Sequence, residues 1–170
     1  MNLKKFIRDV PNFPYVGIMF RDITPLLLDP AAFGEAISQV QGLLGDVEYD
    51  YIAAPESRGF IVGIPLAQAV KKGFVPARKA GKLPHKTVAH SYNLEYGTST
   101  LEIHEDAIKP GDRVVIADDL LATGGTCSAL CKLIESQGGI VVGIVFLIEL
   151  SFLGGRDVLL DYNVKSLLQY

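Results

Sequence analysis

Residues Val114–Thr126 read VVIADDLLATGGT. An apolar run leads into two adjacent carboxylates, Asp118 and Asp119, and then into Ala122-Thr123-Gly124-Gly125-Thr126, where the helical period begins. Glycines let consecutive backbone N–H groups turn toward one centre. A helix start adds free N–H groups and the positive end of the helix dipole, and Thr123 and Thr126 add hydroxyl donors. Together these make a cradle for one phosphate. The two acids would repel a phosphate that touched them and suit hydroxyls or a metal instead. A sugar phosphate meets both demands, with its phosphate in the turn and its hydroxyls on the carboxylates. The stretch is not a Walker loop, because the GxxxxGK[ST] spacing and its lysine are missing, and no GxGxxG turn occurs elsewhere.

Other groups with chemical potential lie along the chain. Glu56-Ser57-Arg58-Gly59 offers backbone N–H groups and a guanidinium shaped for phosphate oxygens. Arg78, Lys79 and Lys82 form a basic cluster, which taken alone reads equally well as a solvated loop. In Met19-Phe20-Arg21, Phe20 suits stacking on a flat ring or plain core packing. Backbone beside Phe20 can supply either a donor or an acceptor to the edge of such a ring. Glu95-Tyr96-Gly97 reads on its own as a surface hairpin tip. Cys127 and Cys131 share a helix face; with no second Cys or His pair at ligand spacing, two free thiols fit better than zinc. His85, His90 and His104 form no recognisable constellation.

The elements that must position these groups alternate. Leu3, Phe6, Ile7 and Val10 suggest a short N-terminal helix, and PNFPYVGIMFRDITP, with three prolines, an irregular loop. Asp29-Pro30 caps a helix striped by Phe33, Ile37, Val40 and Leu44 that ends near Gly45. Strands are expected at 51–54, 74–78, 114–118 and 140–149, helices at 59–72 and 126–137, a hairpin within 80–104, and an edge strand at 162–168. Such alternation gives an α/β fold with a mainly parallel sheet and right-handed crossovers. Ligands bind at the carboxyl edge of such sheets, where PESRG, KAGKLPHK, DDLLATGGT and ELSFLGG should gather.

The totals set bounds. With 170 residues, 49% hydrophobic and 21% charged, the chain suits one domain with a real core. A net charge of -3 argues against bulk nucleic-acid binding. No apolar run approaches the ~20 residues of a membrane span, and MNLKKFIRDV lacks the apolar core of a signal peptide, so a cytoplasmic protein is expected.

VVIADDLLATGGT resembles the phosphoribosyl-diphosphate signature of the type I phosphoribosyltransferases, in the form carried by their adenine-using members. FPYVGIMFRDITPLL, AAPESRGF, RKAGKLP, SYNLEYGTSTLEIHEDAI and FLIELSFLGGR are similar to further segments of that branch, in the same order, over nearly the whole chain. The resemblance implies the family's fold: a central mainly parallel sheet flanked by helices, a base-binding hood from residues 1–28 and about 149–160, and a flexible hairpin lid at about 80–105. It implies that adenine displaces pyrophosphate from 5-phosphoribosyl 1-diphosphate to give AMP, with Mg²⁺ travelling on the diphosphate and no metal held by protein alone. Ala122, Thr123, Gly124, Gly125 and Thr126 would take the 5-phosphate, and Asp118 and Asp119 the ribose hydroxyls. Glu56, Ser57, Arg58, Gly59, Arg78, Lys79 and Lys82 would take the pyrophosphate, with a cis peptide at Glu56–Ser57. Met19, Phe20, Arg21 and Leu150 would hold the base. In the lid, Glu95 would move the purine's proton beside Tyr96. Part of the basic cluster reaches a neighbouring subunit in the family, which implies a homodimer. Two rivals stand beside this expectation: the same fold acting on xanthine, hypoxanthine, guanine or uracil, and a non-enzymatic sensor of phosphoribosyl diphosphate that binds nucleic acid.

Overall fold

A computed structural model describes residues 1–94 and 97–170. Its frame is a seven-stranded sheet of order β5-β6-β4-β3-β7-β8-β9. The strands are β3 (Tyr51–Pro55), β4 (Gly73–Lys79), β5 (Thr87–Asn93), β6 (Thr98–His104), β7 (Arg113–Leu121), β8 (Ile140–Glu149) and β9 (Val164–Gln169). β4, β3, β7, β8 and β9 run parallel to their neighbours. β6 turns antiparallel to β4 and pairs with β5 as the expected hairpin.

Helices cover both faces, which is what a parallel sheet requires. α2 (Pro30–Leu44) starts at Asp29, whose carboxylate accepts the amides of Ala31 and Ala32 at 3.0 and 2.9 Å, and stops at Gly45. Losing such a cap costs about 1 kcal/mol. α2 and α3 (Arg58–Val70) pack on one face, where Val40, Leu66, Val115, Ala117 and Leu147 meet. α4 (Gly125–Ser136) covers the other, with Ile116, Leu130, Ile134 and Phe146. The alternation of Val114 and Ile116 with Val115 and Ala117 shows why β7 reads as a continuous apolar run: both its faces are buried.

Three expectations need correction. The N-terminal helix is only a 3₁₀ turn, Leu3–Phe6, and Val10 belongs to strand β1 (Arg8–Pro11). The proline-rich loop contains a second strand, β2 (Met19–Asp22), antiparallel to β1, and a short helix α1 (Thr24–Leu28). This ribbon has no apolar alternation to betray it. Two of its four cross-strand pairs are charged, Arg8 facing Asp22 at 3.5 Å and Arg21 pairing with Asp9, and the other two are Val10 with Phe20 and Pro11 with Met19. Finally, β7 does not stop at Asp118. Leu120 and Leu121 stay in register with Ile148 and Glu149 of the ten-residue β8, so both aspartates lie within a strand and are buried.

The ribbon is tied to the chain's other end. Lys4 donates to the Gln169 carbonyl at 2.7 Å, and the Arg21 guanidinium lies 4.0 Å from the centre of the Tyr170 ring. No helix among the described residues is long and apolar enough to cross a membrane.

Candidate active site

At the carboxyl edge of the sheet, the ends of β3, β4 and β7 open onto a cavity of about 400 Å³. Its walls are Glu56–Gly59 after β3, Lys79 at the end of β4, Asp118 and Asp119 in β7, and the turn Ala122–Thr126 that starts α4. Three of the segments singled out in the sequence therefore converge on one space.

The turn lies as its sequence requires. Gly124 precedes α4 with φ +83°, a conformation that favours glycine, and Gly124, Gly125 and Thr126 all line the cavity. The Thr126 hydroxyl is 3.2 Å from the Tyr92 hydroxyl on β5. Local sequence carried no sign of that contact, because the partners are 34 residues apart and a hairpin tyrosine has no periodicity that marks it.

The two acids are 9% and 5% exposed. Asp118 accepts the Asp119 amide at 2.8 Å. Burial, then the neighbouring Asp119 charge, pushes the Asp118 carboxyl well above the usual range. Asp119 forms an ion pair with Arg58 at 2.5 Å. Helix α3 brings Arg58 there because Gly59 permits the approach: a Cβ on Gly59 would stand 2.7 Å from Asp118 Oδ1 and 2.9 Å from Pro55 Cδ.

Glu56 sits opposite, its side chain 7% exposed. It accepts the Lys79 amide and the Lys82 ammonium, each at 2.7 Å, and pairs with Arg78 at 3.3 Å. Burial alone would raise its carboxyl, but Lys82, the Lys79 amide and Arg78 outweigh that and hold it below the usual range. The peptide between Glu56 and Ser57 is cis, as expected. Arg58, Arg78 and Lys82 each therefore have a carboxylate partner.

The base-site candidates do not line this cavity. Phe20, half-buried on β2, has the Phe13 ring edge-on at 5.1 Å and the Arg58 guanidinium 5.1 Å from its centre. Arg58 thus bridges the ribbon and the acids. Arg21 turns to Asp9 and Tyr170, which leaves its backbone as the part of it suited to meeting a base. Met19 is exposed. Leu150 is buried, and its amide donates to the Leu121 carbonyl at 2.9 Å. Glu95 and Tyr96 lie outside the described residues.

Cys127 and Cys131 are free, buried thiols on α4. Cys127 lines the cavity, and the hydrogen bond to Cys131, then burial, pushes its thiol well up, away from the reactive thiolate form. Among the described residues no cluster of three or more His, Cys, Asp or Glu is placed to hold a metal ion.

Residues 28–168 match the model of the phosphoribosyl transferase domain family. The adenine phosphoribosyltransferase of Kosmotoga olearia is 57% identical over the full length of both chains. The crystal structure of adenine phosphoribosyltransferase from Thermoanaerobacter pseudethanolicus superposes with a TM-score of 0.96 at 54% identity, over 99% of this chain and 98% of that one. The Saccharomyces cerevisiae enzyme of the same name, complexed with an imino-altritol bisphosphate and adenine, gives a TM-score of 0.90 at 40% identity, over 96% and 95% of the two chains.

Proposed function

The chain belongs to the phosphoribosyltransferase family and, within it, to the adenine phosphoribosyltransferases, and from that premise we propose how its cavity joins adenine to 5-phosphoribosyl 1-diphosphate, giving AMP and pyrophosphate. One observation carries the proposal: the buried pair Asp118–Asp119 opens directly onto the turn Ala122–Thr126, with Glu56–Gly59 and Lys79 across the same cavity.

The turn's N–H groups and the hydroxyls of Thr123 and Thr126 take the 5-phosphate. Asp118 and Asp119 take the ribose hydroxyls. A purine nitrogen bonds to the anomeric carbon while the bond from that carbon to the pyrophosphate oxygen breaks, and pyrophosphate leaves with the electron pair. The sugar passes through an oxocarbenium-like state, as in glycosyl transfer, and the two carboxylates favour its positive charge. The loop Glu56–Gly59 with Arg78, Lys79 and Lys82 receives the pyrophosphate. For this, Lys82 and Arg78 exchange the Glu56 carboxylate for phosphate oxygens, and Arg58 exchanges Asp119.

Phe20 stacks on the base, backbone of Met19 and Arg21 reads its edge, and Leu150 covers its other face. Residues 1–28 and about 149–160 act as the hood, and about 80–105 as the lid. Closure of the lid excludes water, which would otherwise attack the sugar. Glu95 accepts the imidazole proton that leaves the purine as the new bond forms. Glu95→Leu should lower kcat by about 10²-fold or more and raise KM for adenine less; an unchanged kcat would return Glu95 to the surface.

The cavity's donors fit Mg²⁺: hard carboxylate and hydroxyl oxygens, in a site where substrate phosphates complete the coordination. Asp118 and Asp119 would face an Mg²⁺ carried on the diphosphate, and the ion would supply charge neutralisation of the leaving group. The family resemblance, in which part of the basic cluster reaches a neighbouring subunit, is what supports a homodimer. Two free thiols support a reducing, cytoplasmic setting.

Tyr92 steadies the Thr126 hydroxyl as a phosphate donor. Tyr92→Phe removes one hydrogen bond and should raise KM for phosphoribosyl diphosphate about 2- to 10-fold, with KM for adenine unchanged. An equal rise in both would remove Tyr92 from the phosphate site. The reaction itself is tested by incubating the protein with adenine, phosphoribosyl diphosphate and Mg²⁺. AMP and pyrophosphate should appear in equal amounts; pyrophosphate without AMP would mean hydrolysis and overturn the assignment.

A further inference from the structure

The phosphate turn rests on a part of the hood to which the proposed reaction gives no role at the phosphate. Gly155 opens the 3₁₀ turn Gly155–Leu159, which follows β8, and lies backbone to backbone against the phosphate turn. A Cβ on Gly155 would stand 2.3 Å from the Ala122 carbonyl oxygen and 2.8 Å from Leu121 Cδ1. From the other side, a Cβ on Gly124 would stand 2.5 Å from the Gly155 carbonyl oxygen and 2.5 Å from Val158 Cγ2. The nearest obstacle to Gly155 is backbone, which gives way only if the turn itself moves.

The supporting segment is anchored. Arg156 donates through Nε and one terminal nitrogen to the two carboxylate oxygens of buried Glu149, at 2.7 and 2.8 Å, and through the other nitrogen to the Val164 carbonyl at 2.8 Å. Ser166 adds a hydrogen bond to the same carboxylate. Such two-pronged pairs fix direction as well as distance. Gly155 is therefore held between a fixed arginine and the Ala122 carbonyl.

In a trans peptide the carbonyl and the following N–H point in opposite directions. With the Ala122 carbonyl turned toward Gly155, the Thr123 N–H points away from it, on the cavity side of the turn. We propose that Gly155, clamped by the Arg156–Glu149 pair, is a positioning residue that aims the phosphate turn and so sets the site's affinity for a 5-phosphate. The inference rests on the reading of Ala122–Thr126 as the 5-phosphate cradle.

The test titrates ribose 5-phosphate, and separately pyrophosphate with Mg²⁺, into the wild-type protein and Gly155→Ala. Ribose 5-phosphate affinity should fall at least about tenfold, because a misaimed cradle misplaces its donors. Pyrophosphate affinity, which depends on the opposite wall, should hold. An unchanged ribose 5-phosphate affinity, or an equal loss of both, overturns the proposal. If Gly155→Ala does not fold, Arg156→Gln decides, since it keeps the glycine and frees the clamp. Selective loss of ribose 5-phosphate supports the proposal, and parallel loss or no loss overturns it. Wild-type protein that binds pyrophosphate but not ribose 5-phosphate would overturn the cradle reading itself, and the inference with it.

Discussion

Replacing Asp118 and Asp119 together by asparagine is expected to lower kcat/KM by about 10³-fold or more while leaving the protein folded. Removing a single preorganised electrostatic contact at a transition state costs about 10²–10³-fold, and adjacent groups that act as a unit are not additive. Asparagine keeps the shape of both side chains, and its carbonyl oxygen still accepts the Asp119 amide hydrogen bond that Asp118 now accepts at 2.8 Å. What disappears is negative charge beside the ribose and the ion pair that holds Arg58 at 2.5 Å. Circular dichroism should be preserved. A folded double variant with wild-type turnover would remove the two acids from the ribose site.

Asp118→Asn alone should make the protein more stable at neutral pH even as it damages the site. Asp118 is 9% exposed, and burial and the Asp119 charge raise its carboxyl well above its ordinary value of 3.8. A raised folded-state pKa means that the native state binds the proton more tightly than the unfolded chain does. Its contribution is then fully present below 3.8 and is lost as pH rises through the folded value. Asparagine is neutral throughout and escapes that loss. The variant's advantage should be absent in acid and grow toward neutrality. A gain on the order of 1 kcal/mol would raise Tm by about 2–4 °C in a chain of this size. Thermal unfolding of both proteins across a pH series checks this. A difference that stays constant, or shrinks as pH rises, would contradict it and imply that Asp118 is stabilised as an anion.

This trade locates what the sequence could and could not reveal. VVIADDLLATGGT was legible because each of its parts carries a local cause: apolar residues for a buried strand, glycines and threonines for a turn with free donors, and acids where apolar residues would otherwise continue. The cap at Asp29-Pro30 was equally local. β1 and β2 were not legible, because strands of four residues, half of them charged, are too short to show a hydrophobic period. The reach of β7 to Leu121 depended on β8, a partner strand supplied from elsewhere in the chain. Long-range contacts were beyond any local pattern. Glu56 meets Lys82 across 26 residues and Tyr92 meets Thr126 across 34. Arg58 reaches Asp119 only after α3 has packed against β7. The sequence suggested which groups could meet an anion; the fold adds that Arg58, Arg78 and Lys82 already have carboxylate partners, which the proposed reaction would have to exchange.

Under the proposed reaction, this exchange would favour a complete substrate. A phosphate alone leaves Asp119 facing Arg58. A ribose diphosphate would offer hydroxyls to Asp118 and Asp119 and phosphate oxygens to the partly exposed Arg58, Arg78 and Lys82, while Glu56 keeps the Lys79 amide. The hydroxyls matter most to Asp119, which is buried and would otherwise lose its partner when Arg58 turns to phosphate.

The central claim is that this cavity transfers a phosphoribosyl group to adenine. The most direct measurement is nucleotide formation from phosphoribosyl diphosphate and Mg²⁺, with adenine, hypoxanthine, guanine, xanthine and uracil supplied separately. AMP should form from adenine with a kcat/KM far above that for any other base. Preferential turnover of another base would contradict the assignment of Met19, Phe20, Arg21 and Leu150 to adenine, and tight binding of phosphoribosyl diphosphate without turnover of any base would contradict catalysis itself.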